Sequence, residues 1–412
     1  MFRRNRPAPG AGTVEAGLGR RFWALWAART SSAAGDGLYN VALPLLAAAL
    51  THRPLAVAGV ALAGRLPWLL VALPAGAHAD RADRRRIMRG ADLARAATVA
   101  VLAALVATAT VTIWWLYGLA VLLGAADACF NAAGSAVVAE VVEPDDLARA
   151  HGLLYTGDTA ASQSVGPAVG GALWSAARAV PFAADAASFA ASAVLLAGVG
   201  RSPTRPLSDG RPAATLVDDL RAGLAWYRRS APLRLVTAVV AGLAFSQAMV
   251  SAILVLFAEE RLHLGGAGFG LFVGATSVGN VAGGLLAGRA VRRLGVARVV
   301  LAAMVLSGAG YLAASQVSSP YAAGAFLALE AVAVVAGSVA TVAFRQRITP
   351  PEMQGRAATI WRTAVWGAIP LGALAGGVLA TVSSIAAPLA AAGVIQWVLA
   401  VVSARPLLRL VR

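Results

Sequence analysis

The sequence predicts an all-α polytopic membrane protein, with twelve transmembrane helices arranged as two six-helix repeats in the same orientation. Three observations predict it. The chain is strongly apolar: 59% of its 412 residues are hydrophobic and 13% charged, against about 25% charged in a soluble domain. Its arginines fall almost entirely on alternate connections between the apolar runs. Two polar stretches of the first half return in the second at nearly the same offset.

Crossing ~30 Å of hydrocarbon takes about 20 apolar residues per helix. The first six runs lie near 22–50, 55–78, 88–110, 113–141, 149–177 and 180–199. The second six lie near 233–258, 266–289, 297–316, 320–345, 356–381 and 384–403. Between the sets a linker, 200–232, is rich in Pro, Arg and Asp. Within it "TLVDDLRAGLAWYRR" (215–229) has helical apolar spacing and is expected along the membrane surface. The organisation is therefore a tail (1–21), a bundle (22–199), the linker, a second bundle (233–403) and a tail (404–412). The first run is too long for a signal-peptide core, so span 1 is expected to act as a signal anchor.

All 35 basic residues are arginine. With an even number of spans both termini share a side. That side carries 28 arginines and the opposite side three, Arg53, Arg178 and Arg261, while Arg29, Arg65, Arg95 and Arg362 fall inside spans. The positive-inside rule then places both termini in the cytoplasm. The same bias accounts for most of the +16 net charge, so a nucleic-acid partner is not needed to explain it. Arginine in place of lysine, with the alanine load, points to a GC-rich bacterial genome and hence a bacterial inner membrane. The lack of lysine excludes a standard Walker A loop. Cys129 is the only cysteine, and the four histidines are scattered. No metal site, cofactor or enzymatic motif such as HExxH or GxSxG is therefore expected.

The internal repeat is legible by alignment. "EPDDLARAHGLLYTGDTAASQSVGPAVGG" (143–171) matches "TPPEMQGRAATIWRTAVWGAIPLGALAGG" (349–377) at an offset of 206, pairing Gly166 with Gly372 and Gly170–Gly171 with Gly376–Gly377. "GAHADRADRR" (76–85) matches "GLLAGRAVRR" (284–293) at an offset of 208. Two bundles in parallel orientation, joined by a linker, describe a parallel-repeat arrangement.

These stretches carry a resemblance to the major facilitator superfamily over essentially the whole chain. "GAHADRADRRR" resembles its signature G-x-x-x-D-R-x-G-R-R, matched by Gly76, Asp80, Arg81, Arg84 and Arg85, with Asp83 at a usual glycine. "GPAVGG" resembles the end of a helix-5 antiporter motif, through Gly166, Pro167, Gly170 and Gly171; Leu153 and Ser162 replace its earlier glycines. "PFAADAASF" (181–189) and "RLPWLL" (65–70) look like the branch of macrolide and siderophore exporters. The resemblance implies alternating access, proton-coupled export of amphipathic small molecules such as drugs or natural products, and a monomer. The same fold also serves nutrient uptake, which remains the alternative. It further implies that Asp80 and Arg81 gate the cytoplasmic end near the start of helix 11, that the glycines let helices slide, and that helices 1, 4, 7 and 10 line a central cavity.

Charges at mid-membrane cost about 2.5–3.5 kcal/mol on insertion scales and mark polar cavities or partners. Span 1 carries Arg29, Ser32, Asp36 and Asn40 on one face. Asp36 and Arg65 lie at similar depth and are expected to pair, either as a proton or cation site or as a structural lock. Span 4 carries Asp127, Asn131 and Ser135 at i, i+4 spacing. Asp127 has no basic partner on its own helix, which suits reversible protonation. Glu330 on span 10 is the third proton-coupling candidate. Ser246 and Gln247 on span 7 either hydrogen-bond substrate or, the reading polar residues in packed spans favour, pack between helices; Asp158 and Gln163 on span 5 are candidates to border the cavity, and Asp185 is placed nearer the outer surface. Trp68 and Trp366 are candidates to stack on a cationic or aromatic substrate. Trp114, Trp115 and Trp174 read as interface anchors.

Overall fold

The computed structural model describes residues 18–79, 82–200, 226–350 and 353–410, and these form helices joined by short turns, with no strand among them. Helices α1 (Arg20–Leu50), α2 (Pro54–Ala79), α3 (Arg84–Ala107) and α4 (Ile113–Val141) are spans 1 to 4. Span 5 comprises α5 (Leu147–Thr159), a π-helical stretch (Ala160–Val165) and α6 (Gly166–Ala176), and span 6 is α7 (Val180–Ala197). In the second half, α8 (Ala231–Ser251) and α9 (Leu254–Glu260) make span 7. Spans 8 to 12 are α10 (Gly266–Leu294), α11 (Val296–Gln316), α12 (Pro320–Ile348), α13 (Gln354–Val382) and α14 (Ala387–Leu410).

Among the described residues, eleven helices are long and apolar enough to cross a membrane. Span 5 is not counted among them because its pieces measure 13, 6 and 11 residues. The last helix runs past the expected end at 403, to Leu410, with Arg409 in its final turn. A cation there suits the partial negative charge of a helix C-terminus. Of the expected surface helix at 215–229, only 226–229 lie within the described residues, and these are helical.

The repeat is visible in packing. In the first half Gly166 lies against Gly37 and Gly170 against Leu38, both on α1, while Gly171 lies against Gly270 on α10. In the second half Gly372 lies against Phe245 and Gly376 against Met249, both on α8, while Gly377 lies against Leu55 and Ala58 on α2. Each glycine triplet thus binds its span to the first helix of its own half and to the second helix of the other half. At these contacts a Cβ would come within 3.0 Å of backbone or a neighbouring methyl.

The two halves close on one another at the end remote from the termini. One apolar cluster there joins Val41–Ala48, Val57, Val60, Trp174 and Phe182 of the first half to Val255, Leu256, Ala258 and Phe269 of the second. At the end that carries the termini, the buried clusters stay within one half: Phe22, Leu25, Met88 and Val137 in the first, Val236, Val300, Met304 and Leu407 in the second. Trp174, expected at the lipid interface, is instead 9% exposed and packs on Phe182 and Gly266. Trp114, at 76% exposed, keeps the expected anchor position.

Candidate functional site: one buried arginine among three carboxylates

The first half is organised around Arg95 on α3. Arg95 is 1% exposed, although it lies about 17 Å along its helix at 1.5 Å per residue. An isolated cation at that depth is unfavourable, and the surrounding residues supply the compensation. Asp92, one turn earlier and 0% exposed, forms a tight ion pair with it. Arg95 Nη2 also donates to Ser32 Oγ at 3.1 Å, and Nη1 lies 3.3 Å from Asp127 Oδ1 and 3.9 Å from Asp36 Oδ2. Phe130 and Phe189 sandwich the guanidinium, each ring centroid 4.3 Å from Cζ. Ser192 on α7 donates to Asp92 Oδ2 at 2.6 Å, which completes the rear of the cluster.

Exposure divides the acids. Asp92 and Arg95 are closed off, whereas the side chains of Asp36 and Asp127 are 40% and 33% exposed. Asn131 Nδ2 donates to Asp127 Oδ1 at 2.9 Å, so the span 4 stripe converges as its spacing predicts. Arg65 and Trp68 on α2 also face Asp127. Trp68 meets Trp366 of the other half edge to face, with centroids 4.5 Å apart. Two accessible carboxylates thus stand at mid-depth in the first half, with an indole pair nearby that bridges the halves. Asn40 and Arg65 are exposed.

The structure gives several of these residues other partners than expected. Asp36, expected to pair with Arg65, has Arg95 as its ion-pair partner, because α3 rather than α2 presents a guanidinium to that face of α1. Asp127 takes its basic partner from the same neighbouring helix rather than from its own. Glu330 is 6% exposed and turned into the packing between α11 and α12, where Ser307 donates to Oε1 at 3.3 Å. Gly310 on α11 leaves the room for it. Ser246 is 0% exposed and donates to the Gly242 carbonyl of its own helix at 2.8 Å, which is the packing position; Gln247 is exposed. Arg29 and Asp158, read separately, form one ion pair at 2.6 Å joining α1 to α5.

Asp80 and Arg81 lie outside the described residues, and Gly76 contributes backbone to α2. Arg84 pairs with Glu140 on α4 at 2.6 Å, and Arg85 is buried. Asp83 caps α3, accepting from the backbone N–H groups of Arg85 and Arg86 at 3.1 and 3.4 Å. A carboxylate at a helix N-terminus is favourable, which accounts for its standing where the signature has glycine.

Arg95 and Asp92 lie outside the polar stripes that mark the site residues in the sequence. The signal was present: an in-span arginine with an acid three residues earlier is a buried pair by default.

Between the halves, Ser175 Oγ accepts from the backbone N–H of Ala267 at 2.9 Å, satisfying one N-terminal donor of α10. Ser277 on α10 donates a short hydrogen bond to the Gln163 carbonyl, and Asn280 Nδ2 reaches Gln163 Oε1 at 3.5 Å.

Two pseudo-equivalent bundles closing at one end around a charged mid-membrane site define a transporter of the major facilitator superfamily. The chain belongs to the transmembrane secretion effector family, whose model matches residues 18–411. Comparison with curated protein sequences returns no match. Among solved structures, the chain is similar to a bacterial homologue of the iron transporter ferroportin in an inward-facing state. The TM-score is 0.74 at 17% identity, over 93% of this chain and 98% of that one. A bacterial homologue of the human lysosomal transporter Spinster, inward-facing and occupied, gives a TM-score of 0.76 at 14% identity, covering 97% of each chain. The nucleoside transporter NupG gives 0.71 at 13% identity, over 95% of this chain and 99% of that one. At these identities the likeness is one of fold.

Proposed function

We propose that this secondary transporter is a proton-coupled exporter of amphipathic small molecules, held in the inner membrane of a bacterium as a monomer with both termini in the cytoplasm. The observation that carries the reading is the Arg95 cluster. Three carboxylates share one fixed cation, so the site has room for a proton whenever one of them is accessible. Asp36 and Asp127 are the accessible pair and serve as the coupling groups; Asp92 fixes Arg95. Glu330, enclosed between α11 and α12, acts in packing.

The indoles of Trp68 and Trp366 beside these acids favour a substrate with a cationic or aromatic part. A proton and such a substrate then compete for the same carboxylates, which is the logic of exchange. With the termini in the cytoplasm the site opens inward in this conformation, and the family description, secretion effector, supports outward movement of the substrate. Each charge falling through the potential supplies about 2.3 kcal/mol per 100 mV.

The test is reconstitution. In proteoliposomes a cationic amphiphile should drive counterflow of protons, and Asp127→Asn should abolish proton-driven movement at normal expression. An unchanged pH dependence in Asp127→Asn removes it from coupling. Movement of protons and substrate in the same direction overturns export in favour of uptake.

A further inference from the structure

The first half holds one more acid that the Arg95 cluster does not use. Asp185 lies on α7, about 8 Å from the helix start at the closed end. It is 0% exposed. Its Oδ1 receives only a long hydrogen bond from Ser188 Oγ, 3.5 Å, and its Oδ2 has no hydrogen-bond partner. Among the described residues no cation lies within ion-pair distance of it. A fully buried carboxylate stays ionised when it is paired and hydrogen-bonded, and this one is neither.

Its surroundings lead back to the coupling site. On α1, Gly35 faces the Asp185 carboxyl so closely that a Cβ there would fall within 3.0 Å of both Asp185 Oδ1 and Ser188 Oγ. Asp36 is the next residue of that helix. The groups that face Asp185 are Asp36 and Tyr39 from α1, Arg95 from α3, and Ser188 on its own helix. Asp185, Ser188 and Ser192 form a polar stripe on α7 at spacings of three and four residues. Ser31 Oγ donates to the Ser188 carbonyl at 3.3 Å, and Ser192 holds Asp92. The stripe thus runs from the closed end of the bundle to the back of the Arg95 cluster.

We propose that Asp185 is a second proton-binding site, loaded while the remote end is shut, which passes its proton to Asp36, the residue after Gly35 on the helix packed against it. The O–H bond on Asp185 breaks and one forms on Asp36. Neutral Asp36 releases its contact with Arg95, and that cation then pairs with the new anion on Asp185. The delivery step rests on the proton-coupling reading; the proton on Asp185 does not.

The test reads the proton directly. Infrared spectra of the full-length protein in membranes at neutral pH should contain the carbonyl stretch of a protonated carboxyl group. Asp185→Asn should remove one component of that band. Gly35→Ala keeps the acid but pushes it from its seat, and should shift the same component even if Asp185→Asn does not fold. A wild-type protein without the band, a band unchanged in Asp185→Asn, or one unmoved by Gly35→Ala overturns the site. Loss of substrate-driven proton flux in wild type, with the band intact, overturns coupling and leaves the site standing.

Discussion

At the scale of single residues, Arg95 holds the first bundle together and its removal should be severe. Arg95→Ala leaves Asp92, itself fully enclosed, without its cation. Breaking a buried pair this way costs about 3–5 kcal/mol. The expected outcome is a large drop in thermal midpoint in detergent. Arg95→Lys should recover only part of it, because an ammonium cannot serve Ser32, Asp92 and Asp127 while stacked between two phenyl rings. Full recovery by lysine would mean that charge alone matters there. The sequence placed Asp36, Asp127 and Asn131 on the correct faces, since helical periodicity fixes which side chains share a stripe. It did not reveal that Arg95 joins them, because which helix neighbours which is a property of the bundle, not of any one span.

At the scale of elements, span 5 is the irregular one, and proline explains it. Pro167 has no N–H to give to the carbonyl four residues earlier, Gln163, and its ring crowds that oxygen. The helix widens into a π turn over Ala160–Val165, closed by the Gly166 N–H donating to the Ala161 carbonyl. The freed Gln163 carbonyl is then taken by the Ser277 hydroxyl of the other half. The resemblance implies glycines that let helices slide; the π turn and its partner across the interface are beyond a pattern read one helix at a time. Leaving a partly buried acceptor unmet costs about 1–3 kcal/mol. Ser277→Ala should therefore weaken closure of the remote end in the natural background. In a Pro167→Ala background, where residue 167 regains its N–H, the same change should cost markedly less. A double-mutant cycle on thermal midpoints or on probe access measures this coupling, and strict additivity would refute the shared carbonyl.

At the scale of the whole molecule, two pseudo-equivalent seams, α6 on α10 and α13 on α2, decide which end is open. Both are lined by glycine, and the repeat at offset 206 made that symmetry legible before any helix was placed. The state of the seam was not legible, since one sequence serves both an open and a closed arrangement. At the first seam a Cβ on Gly171 would fall within 3.0 Å of the Gly270 Cα and the Gly266 carbonyl, both backbone of the opposite half. Backbone cannot swing aside, so Gly171→Ala must move the halves apart. Overpacking of this kind costs about 1–3 kcal/mol in the closed arrangement and nothing in the open one. That difference shifts the balance between the two roughly 5- to 150-fold toward opening at the remote end. Cys129 is the only cysteine, so a Cys129→Ser background leaves the chain free of thiols. A reporter at the exposed Asn40, as Asn40→Cys, should then react with an impermeant thiol reagent mainly from the side that carries the termini. Adding Gly171→Ala should raise its rate from the remote side by about fivefold or more, on the same free-energy difference. Equal rates with and without the added methyl would show that the seam does not control access.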